Sequence, residues 1–290
     1  MIKKAIILCG GTGSRMFPLT HSINKQLLPV YDKPMFYYPL SLMMLCGIKE
    51  YVFVINQGQE LNFRKALGNP DDLGIRVEFV VQKNPKGLPD AFIITKELIK
   101  NQSIAMILGD NFFYGNMLSP IIKGSFKIKN GCNIYIYPSN KTSSYGVVEF
   151  DKKNNVKKII EKPKKTNSNQ IITGLYVFDK KVFEFSKKLK PSKRNELEIV
   201  DLINLYKKQK KLYVTKLGRG SAWMDVGNFS DLQSASSFIQ NVENRQNYKI
   251  GCIEEVAFNN KWINKKKILN RIQHFAKTDY SKYLKNLISN

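Results

Sequence analysis

Short apolar runs alternate with amphipathic stretches over the first 110 residues. Residues 2–9 form a nearly continuous apolar run bounded by turn residues, the pattern of a strand buried on both faces. Lys33-Pro34-Met35 introduces a predicted helix that runs to about residue 46, where Gly47 ends it. A second buried strand follows at 51–56, a helix near 59–68 and a strand at Arg76–Gln82. Asn84–Pro89 reads as a loop, Asp90–Asn101 as a helix, and Ile104–Asp110 as a strand ending in an acid. The middle is richer in strands, at Asn133–Tyr137, Gly146–Phe150, Val156–Glu161 and Ile171–Phe178, with a polar loop over 162–170. Helical patterns at Val182–Leu189 and Leu197–Gln209 then precede a strand at Leu212–Lys216. Beyond Gly227 the pattern is helical to the end: Leu232, Ala235, Ile239 and Val242 share one face, and Tyr280, Leu284 and Leu287 another. Such alternation predicts an α/β sandwich around a mostly parallel sheet, without internal repeats or an interdomain linker.

The first strand runs into Gly10-Gly11-Thr12-Gly13-Ser14-Arg15. Glycines there let the backbone turn sharply and aim several N–H groups at a phosphate chain, to which Arg15 adds a planar cationic fork. A dinucleotide fingerprint would need its third glycine at Met16 and an acidic partner near Asp32, which instead lies between Pro29 and Pro34. The P-loop spacing has no match. What remains is a glycine loop followed by Lys25-Gln26-Leu27-Leu28-Pro29, a combination that a plain strand-to-helix turn does not require.

Composition narrows the class. The 290-residue chain is 43% hydrophobic and 24% charged, as soluble globular proteins are, and long enough for a substantial core. The pattern predicts neither a membrane span nor a cleaved leader, and no membrane insertion. Cys9, Cys46, Cys132 and Cys252 stand far apart, and read as buried free thiols of a reducing, cytoplasmic setting. The net charge of +24 raises the alternative of a nucleic-acid binder. Its lysines come as scattered pairs without an accompanying recognition motif, so no nucleic-acid partner is expected. With seven Arg against forty Lys, Arg15, Arg194 and Arg219 mark places where a bidentate donor is wanted.

Asp110 falls where a buried strand meets the ligand-binding edge of an open α/β sheet, and Trp223-Met224-Asp225-Val226-Gly227 sets a second acid before a turn. Each alone could be a cap or turn residue. With the glycine loop they form a metal–nucleotide set, since Mg²⁺ takes few protein ligands and completes its shell with water and phosphate oxygens. Only two histidines occur, His21 and His274, and there is no G-x-S-x-G elbow, which argues against zinc or Ser-His-Asp hydrolysis. Phosphoryl or nucleotidyl transfer needs neither. An already ionised phosphate nucleophile requires no general base, so alignment and charge neutralisation suffice.

The motifs at 10–15 and 25–29 are followed in order by Tyr31-Asp32-Lys33-Pro34-Met35, Leu108-Gly109-Asp110-Asn111, Tyr145-Gly146-Val147-Val148-Glu149-Phe150, Glu161-Lys162-Pro163, Thr173-Gly174-Leu175-Tyr176, Glu196-Leu197-Glu198-Ile199 and Trp223–Gly227. The set resembles the bacterial glucose-1-phosphate thymidylyltransferases along nearly the whole chain. The resemblance implies a three-layer α/β/α sandwich with a mixed, mainly parallel central sheet, as a 1–229 core with a C-terminal helical extension over 230–290. It implies attack of glucose 1-phosphate on the α-phosphate of dTTP, giving dTDP-glucose and pyrophosphate with Mg²⁺ as cofactor, for deoxysugar synthesis. Carried onto this chain, Arg15 and Lys25 would hold the phosphate chain with Gly10, Gly11, Thr12, Gly13, Ser14 and Gln26. Gln82 and the backbone at Gly87 would read the base, and Asp110 and Asp225 would hold the metal. Tyr145, Gly146, Glu161 and Thr173 would line the sugar pocket, and Lys162 and Arg194 would grip the sugar phosphate. A homotetramer is implied too, with a regulatory nucleotide site near Gly115-Asn116 and Arg219-Gly220.

Departures from the family pattern cluster beside these positions: Cys9, Pro89-Asp90, Asn116, Asn195, Ser221 and Val226. None removes a charged residue of the expected machinery. UTP or another sugar 1-phosphate as substrate, and a silent nucleotide-sugar-binding regulator, remain the competing readings.

Overall fold

The computed structural model describes residues 2–100 and 102–289. Its centre is a mixed nine-stranded sheet. Strand Lys4–Cys9 lies between Glu50–Asn56 and Ile104–Leu108, parallel to both, and Arg76–Gln82 extends the parallel half. Gln170–Phe178 joins the other side of Ile104–Leu108 and pairs antiparallel with Cys132–Pro138 and Gly146–Phe150. Leu212–Lys216 runs parallel beside Cys132–Pro138, and Val156–Glu161 closes the edge antiparallel to Gly146–Phe150. Only Gln170–Phe178 and Val156–Glu161 oppose the common strand direction, so the sheet is mainly parallel, as the alternation predicts.

Sheet burial on both faces explains the apolar runs. Ala5, Ile7 and Cys9 point into one cluster with Phe53 and Phe63, while Ile6 and Leu8 point into the other with Val52 and Phe92. Each fully buried Ile or Leu contributes about 1.5–3 kcal/mol. Helix Tyr37–Leu45 covers the first face; helices Val182–Lys188 and Ile199–Lys208 cover the second. The C-terminal helices Ile253–Asn259, Lys265–His274 and Asp279–Ser289 extend the first cluster through Ile253, Ile268, Ile272 and Leu284. Helix Phe229–Gln246 packs Ala235 and Ile239 against Met16, Leu28 and Val226, with Leu232 and Val242 beside them. The two predicted apolar stripes of the tail thus both pack against the core. No helix among the described residues is long and apolar enough to cross a membrane. All four cysteines are free and buried.

Several predicted elements are corrected. Lys33-Pro34 is a short strand paired with Pro29–Val30, and the helix begins only at Tyr37. The cause is tertiary: Lys33 is buried against Asp32 and Glu243, which holds the chain extended. The predicted helix from Asp90 divides at Thr95 into Asp90–Ile94 and Lys96–Ile99, where the Thr95 hydroxyl donates back to the Ala91 carbonyl. Its expected end at Asn101 lies outside the described residues, as do Met1 and Asn290. The strand expected to reach Asp110 stops at Leu108. A two-stranded ladder of Asn111–Gly115 with Ser221–Asp225, and helix Leu118–Ser125, were not predicted.

Candidate active site

Two cavities share Arg15 at the carboxyl ends of the parallel strands. The smaller is lined by Gly10, Gly11, Thr12, Gly13, Ser14, Arg15, Lys25 and Gly227. Its loop is shaped by Gly11 and Gly13, at φ of 107° and 63°. Asn56, at the end of the neighbouring strand, clamps Gly11 by accepting from its N–H at 3.0 Å and donating to its carbonyl at 2.7 Å. Thr20 donates to the Gly13 carbonyl. The Arg15 guanidinium lies over Gly227, 3.0–3.2 Å from where a Cβ there would stand.

The larger cavity, about 470 Å³, is lined by Arg15, Asp110, Tyr145, Gly146, Glu161, Lys162, Thr173, Arg194 and Asp225, together with Asn111, Glu198 and Trp223. Every residue expected on sequence grounds to hold the sugar phosphate therefore faces one cleft. Thr173 is the most buried of them, its hydroxyl donating to the Tyr135 carbonyl. Three of the residues expected to bind nucleotide stand behind these walls. Gln26 is buried, its N–H donating to Asn24 Oδ1. Gln82 is buried behind Gly10, and Gly87 lies against the backbone of Leu197.

The two acids meet because of the unpredicted ladder. Asp225 stands opposite Asn111, the neighbour of Asp110, and the Val226 N–H donates to the Asp110 carbonyl at 2.9 Å. Asp110 is paired with Lys25 and accepts from Asn111 Nδ2 at 3.0 Å. Burial works to raise its pKa, but Lys25 and Asn111 prevail and hold the carboxyl below its ordinary value. Asp225 is pushed the other way, to about 6, by burial and by the charge of Asp110, against the pull of Lys25 and Arg15. The Tyr145 hydroxyl donates to Asp225 at 3.3 Å. No cluster of three or more His, Cys, Asp or Glu residues suited to a metal occurs among the described residues. Two facing carboxylates are nevertheless a donor set that fits Mg²⁺ bound chiefly through water and phosphate.

At the far end of the cleft Arg194 is surrounded by acids. Its Nη2 lies 2.6 Å from Glu198, 3.4 Å from Glu196 and 3.5 Å from Glu161, and its Nε donates to Glu198 at 3.1 Å. The hydrogen bond to Glu198 is the main force raising the guanidinium pKa. Glu161 is raised by burial first and then by Glu198, with Lys162 and Arg194 offsetting part. Lys162 itself is 41% exposed, at a positive φ of 43°, with its ammonium 3.9 Å from Glu161.

Asn111 is a residue that sequence reasoning did not assign to the site. Its Oδ1 accepts from the Gly174 N–H and Trp223 Nε1, and its Nδ2 holds Asp110. Its motif neighbourhood was visible, but these partners are 63 and 112 residues away.

The nucleotidyl transferase family model matches residues 4–242. The chain is 45% identical to a glucose-1-phosphate thymidylyltransferase of Neisseria gonorrhoeae over 98% of its length and 99% of the relative's. It is 39% identical to the enzyme of that name from Xanthomonas campestris, over 97% and 96%. Among solved structures, one from Bacillus anthracis assigned as a glucose-1-phosphate thymidylyltransferase, with sucrose bound, superposes with a TM-score of 0.75 at 32% identity. It covers 82% of this chain and 95% of that one. A UDP-glucose pyrophosphorylase complexed with UDP-glucose gives 0.73 at 26% identity, over 83% and 100%. Fold, cleft and kinship agree: the chain belongs to the nucleotidyl transferase family, with the glucose-1-phosphate thymidylyltransferases.

Proposed function

We propose that this protein transfers the thymidylyl group of dTTP to glucose 1-phosphate, yielding dTDP-glucose and pyrophosphate. The observation that carries the reading is Arg15, a wall of both the glycine cradle and the acid-and-base-lined cleft. A nucleoside triphosphate laid along the cradle brings its α-phosphate to Arg15, and a sugar phosphate in the cleft reaches the same point. A sugar-phosphate oxygen attacks the α-phosphorus, the bond from that phosphorus to the bridging oxygen breaks, and pyrophosphate leaves. The nucleophile is ionised at neutral pH, so no side chain need remove a proton.

Arg15 and Lys25 hold the triphosphate and offset charge growing on the leaving pyrophosphate. Lys162 and Arg194 orient the sugar phosphate, Glu161 accepts from sugar hydroxyls, and Tyr145, Gly146 and Thr173 bound the ring. Asp110 and Asp225 would hold Mg²⁺, which when bound supplies positive charge to the phosphate oxygens. The Asp225 carboxyl, raised to about 6 beside ionised Asp110, is the kind of pair that a divalent cation stabilises. A cytoplasmic homotetramer, with residues 1–229 as core and 230–290 as extension, completes the reading.

The likeness to a UDP-glucose pyrophosphorylase favours a second reading with UTP in place of dTTP. Pyrophosphate release with Mg²⁺, measured for dTTP, UTP, dCTP and ATP against several hexose 1-phosphates, decides between them. Highest kcat/KM for dTTP with glucose 1-phosphate is expected. No release from any pair by folded protein would sink the proposal.

A further inference from the structure

The two facing acids are held in unequal ways. Asp110 has a partner on each carboxylate oxygen, Asn111 Nδ2 on Oδ1 and Lys25 Nζ on Oδ2. Among the described residues the Asp225 carboxylate accepts one hydrogen bond, from the Tyr145 hydroxyl to Oδ2 at 3.3 Å. A carboxylate only accepts, so the phenol is the donor, and Oδ1 is left without a protein donor. Tyr145 is itself placed from two sides. Its carbonyl accepts from the Lys162 N–H at 3.0 Å. Its ring meets the Trp223 indole edge to face, with centroids 5.3 Å apart and planes at 73°, and Trp223 is fixed by its bond to Asn111. These contacts close a circuit from Asp110 through Asn111, Trp223 and Tyr145 to Asp225. Packing alone does not hold that circuit shut. Tyr145, Trp223 and Asp225 also wall a second cavity of about 320 Å³, lined by Tyr137, Lys141 and Asp231 among others. With space on that side as well as in the cleft, the hydroxyl contact is what keeps the Asp225 carboxylate from turning.

We propose that Tyr145 is a positioning residue for the metal site: its hydroxyl fixes the Asp225 carboxylate through Oδ2 and leaves Oδ1 to a divalent cation held jointly with Asp110. The ring bounds the sugar pocket, whereas the oxygen acts on the metal acid, so one side chain has two separable duties. Donors behind a metal's carboxylate ligands orient them, and losing one weakens metal binding or activity about ten- to a hundredfold. A neutral phenol at 3.3 Å belongs at the lower end of that range. The inference rests on the reading above for the metal that the two acids take.

The test is Tyr145→Phe, which deletes one oxygen and keeps the ring. Thermal melts of the full chain over a Mg²⁺ series at constant ionic strength, without substrates, give an apparent Kd from the metal-induced rise in melting temperature. Pyrophosphate release gives the half-saturating Mg²⁺ and, at saturating Mg²⁺, the KM for glucose 1-phosphate. The variant is expected to need about tenfold more Mg²⁺ in both assays, with that KM within about twofold of wild type. General structural damage would lower the melting temperature in chelator and leave the apparent Kd in place. An unchanged Kd, alone or beside a raised KM for glucose 1-phosphate, overturns the proposal. So does a wild type that Mg²⁺ does not stabilise. Should Tyr145→Phe fail to fold, Tyr145→Leu, which likewise cannot donate to Asp225, must raise the Kd as far; an unmoved Kd there overturns the proposal as well. A tenfold shift in the melts without pyrophosphate release from either protein would sink the transfer reaction and sustain the role of Tyr145. Turnover with an unshifted Kd would do the reverse.

Discussion

The indole Nε1 of Trp223 donates to Asn111 Oδ1 at 2.7 Å. That bond ties the strand bearing Asp225 to the residue that orients Asp110. Asn111 is 1% exposed, and its remaining contacts go to Gly174 and Asp110. Asn111→Ala should cost about 1–3 kcal/mol of stability through unpaired buried groups. It should also lower kcat/KM at least about tenfold by releasing Asp110. Urea melts and steady-state kinetics on one preparation check both; full turnover from a destabilised variant would confine Asn111 to folding.

Gly227 owes its identity to Arg15. A Cβ there would stand 3.0–3.2 Å from the guanidinium, so Gly227→Ala should displace Arg15 without unfolding the chain. Misplacement on the scale of 1 Å costs about a hundredfold in rate, and a loss of ten- to a hundredfold is expected here, roughly. An unshifted melting temperature beside that loss is the signature; unaltered turnover would refute it.

Glu161 sets a pH dependence of stability. Burial and Glu198 raise its pKa in the folded state above the ordinary Glu value. Below that ordinary value both states are protonated and the group costs nothing. As pH rises, the unfolded chain ionises first, so stability falls until the folded carboxyl also ionises, and the penalty then stays constant. Glu161→Gln should therefore gain stability over wild type as pH climbs through this window. Denaturant midpoints from about pH 4 to pH 7 measure it, and a parallel pair of curves would contradict the assigned shift.

Mg²⁺ and Asp225 should act with opposite signs. In chelator, Asp225→Asn should melt above wild type, because a buried carboxylate no longer faces Asp110. Added Mg²⁺ should stabilise wild type by about 2.7 kcal/mol at a hundredfold excess over Kd, and the variant much less. Equal metal-induced shifts in both proteins would remove Asp225 from the metal set.

The C-terminal helices are pinned by a buried ion pair. Arg271 meets Glu254, which is fully buried, and also donates to the Leu67 carbonyl at 2.6 Å. Arg271→Ala strands that carboxylate and should cost about 3–5 kcal/mol. A loss under about 1 kcal/mol, read by denaturant melts, would mean that water reaches Glu254.

Legibility in the sequence followed locality. Strands Arg76–Gln82, Gly146–Phe150, Val156–Glu161 and Leu212–Lys216 have the expected bounds, because each is a compact run between turn signals. Helix Leu118–Ser125 holds both Pro120 and Gly124, which weaken its local helical signal. Pro120 in fact lies in the first turn, where no internal N–H bond is lost. The ladder of Asn111–Gly115 with Ser221–Asp225 escaped for a different reason: its partners are more than a hundred residues apart, and no local pattern encodes their register. The charged residues that line the cleft stand in motifs visible in the sequence. The residue that orients one of them, Asn111, became visible only when the fold supplied its partners.

Gly87, at φ 100°, leaves no room for a side chain beneath the backbone of Leu197, whose N–H donates to the Lys86 carbonyl at 2.8 Å. Leu197 is flanked by the segment that carries Arg194 and Glu198. The loop that carries Gly87 and the segment that carries Arg194 and Glu198 are therefore one mechanical piece. Ordering one orders the other, so a ligand held at either would lower the entropic cost of a ligand at the other, and by linkage the favour is returned in equal measure.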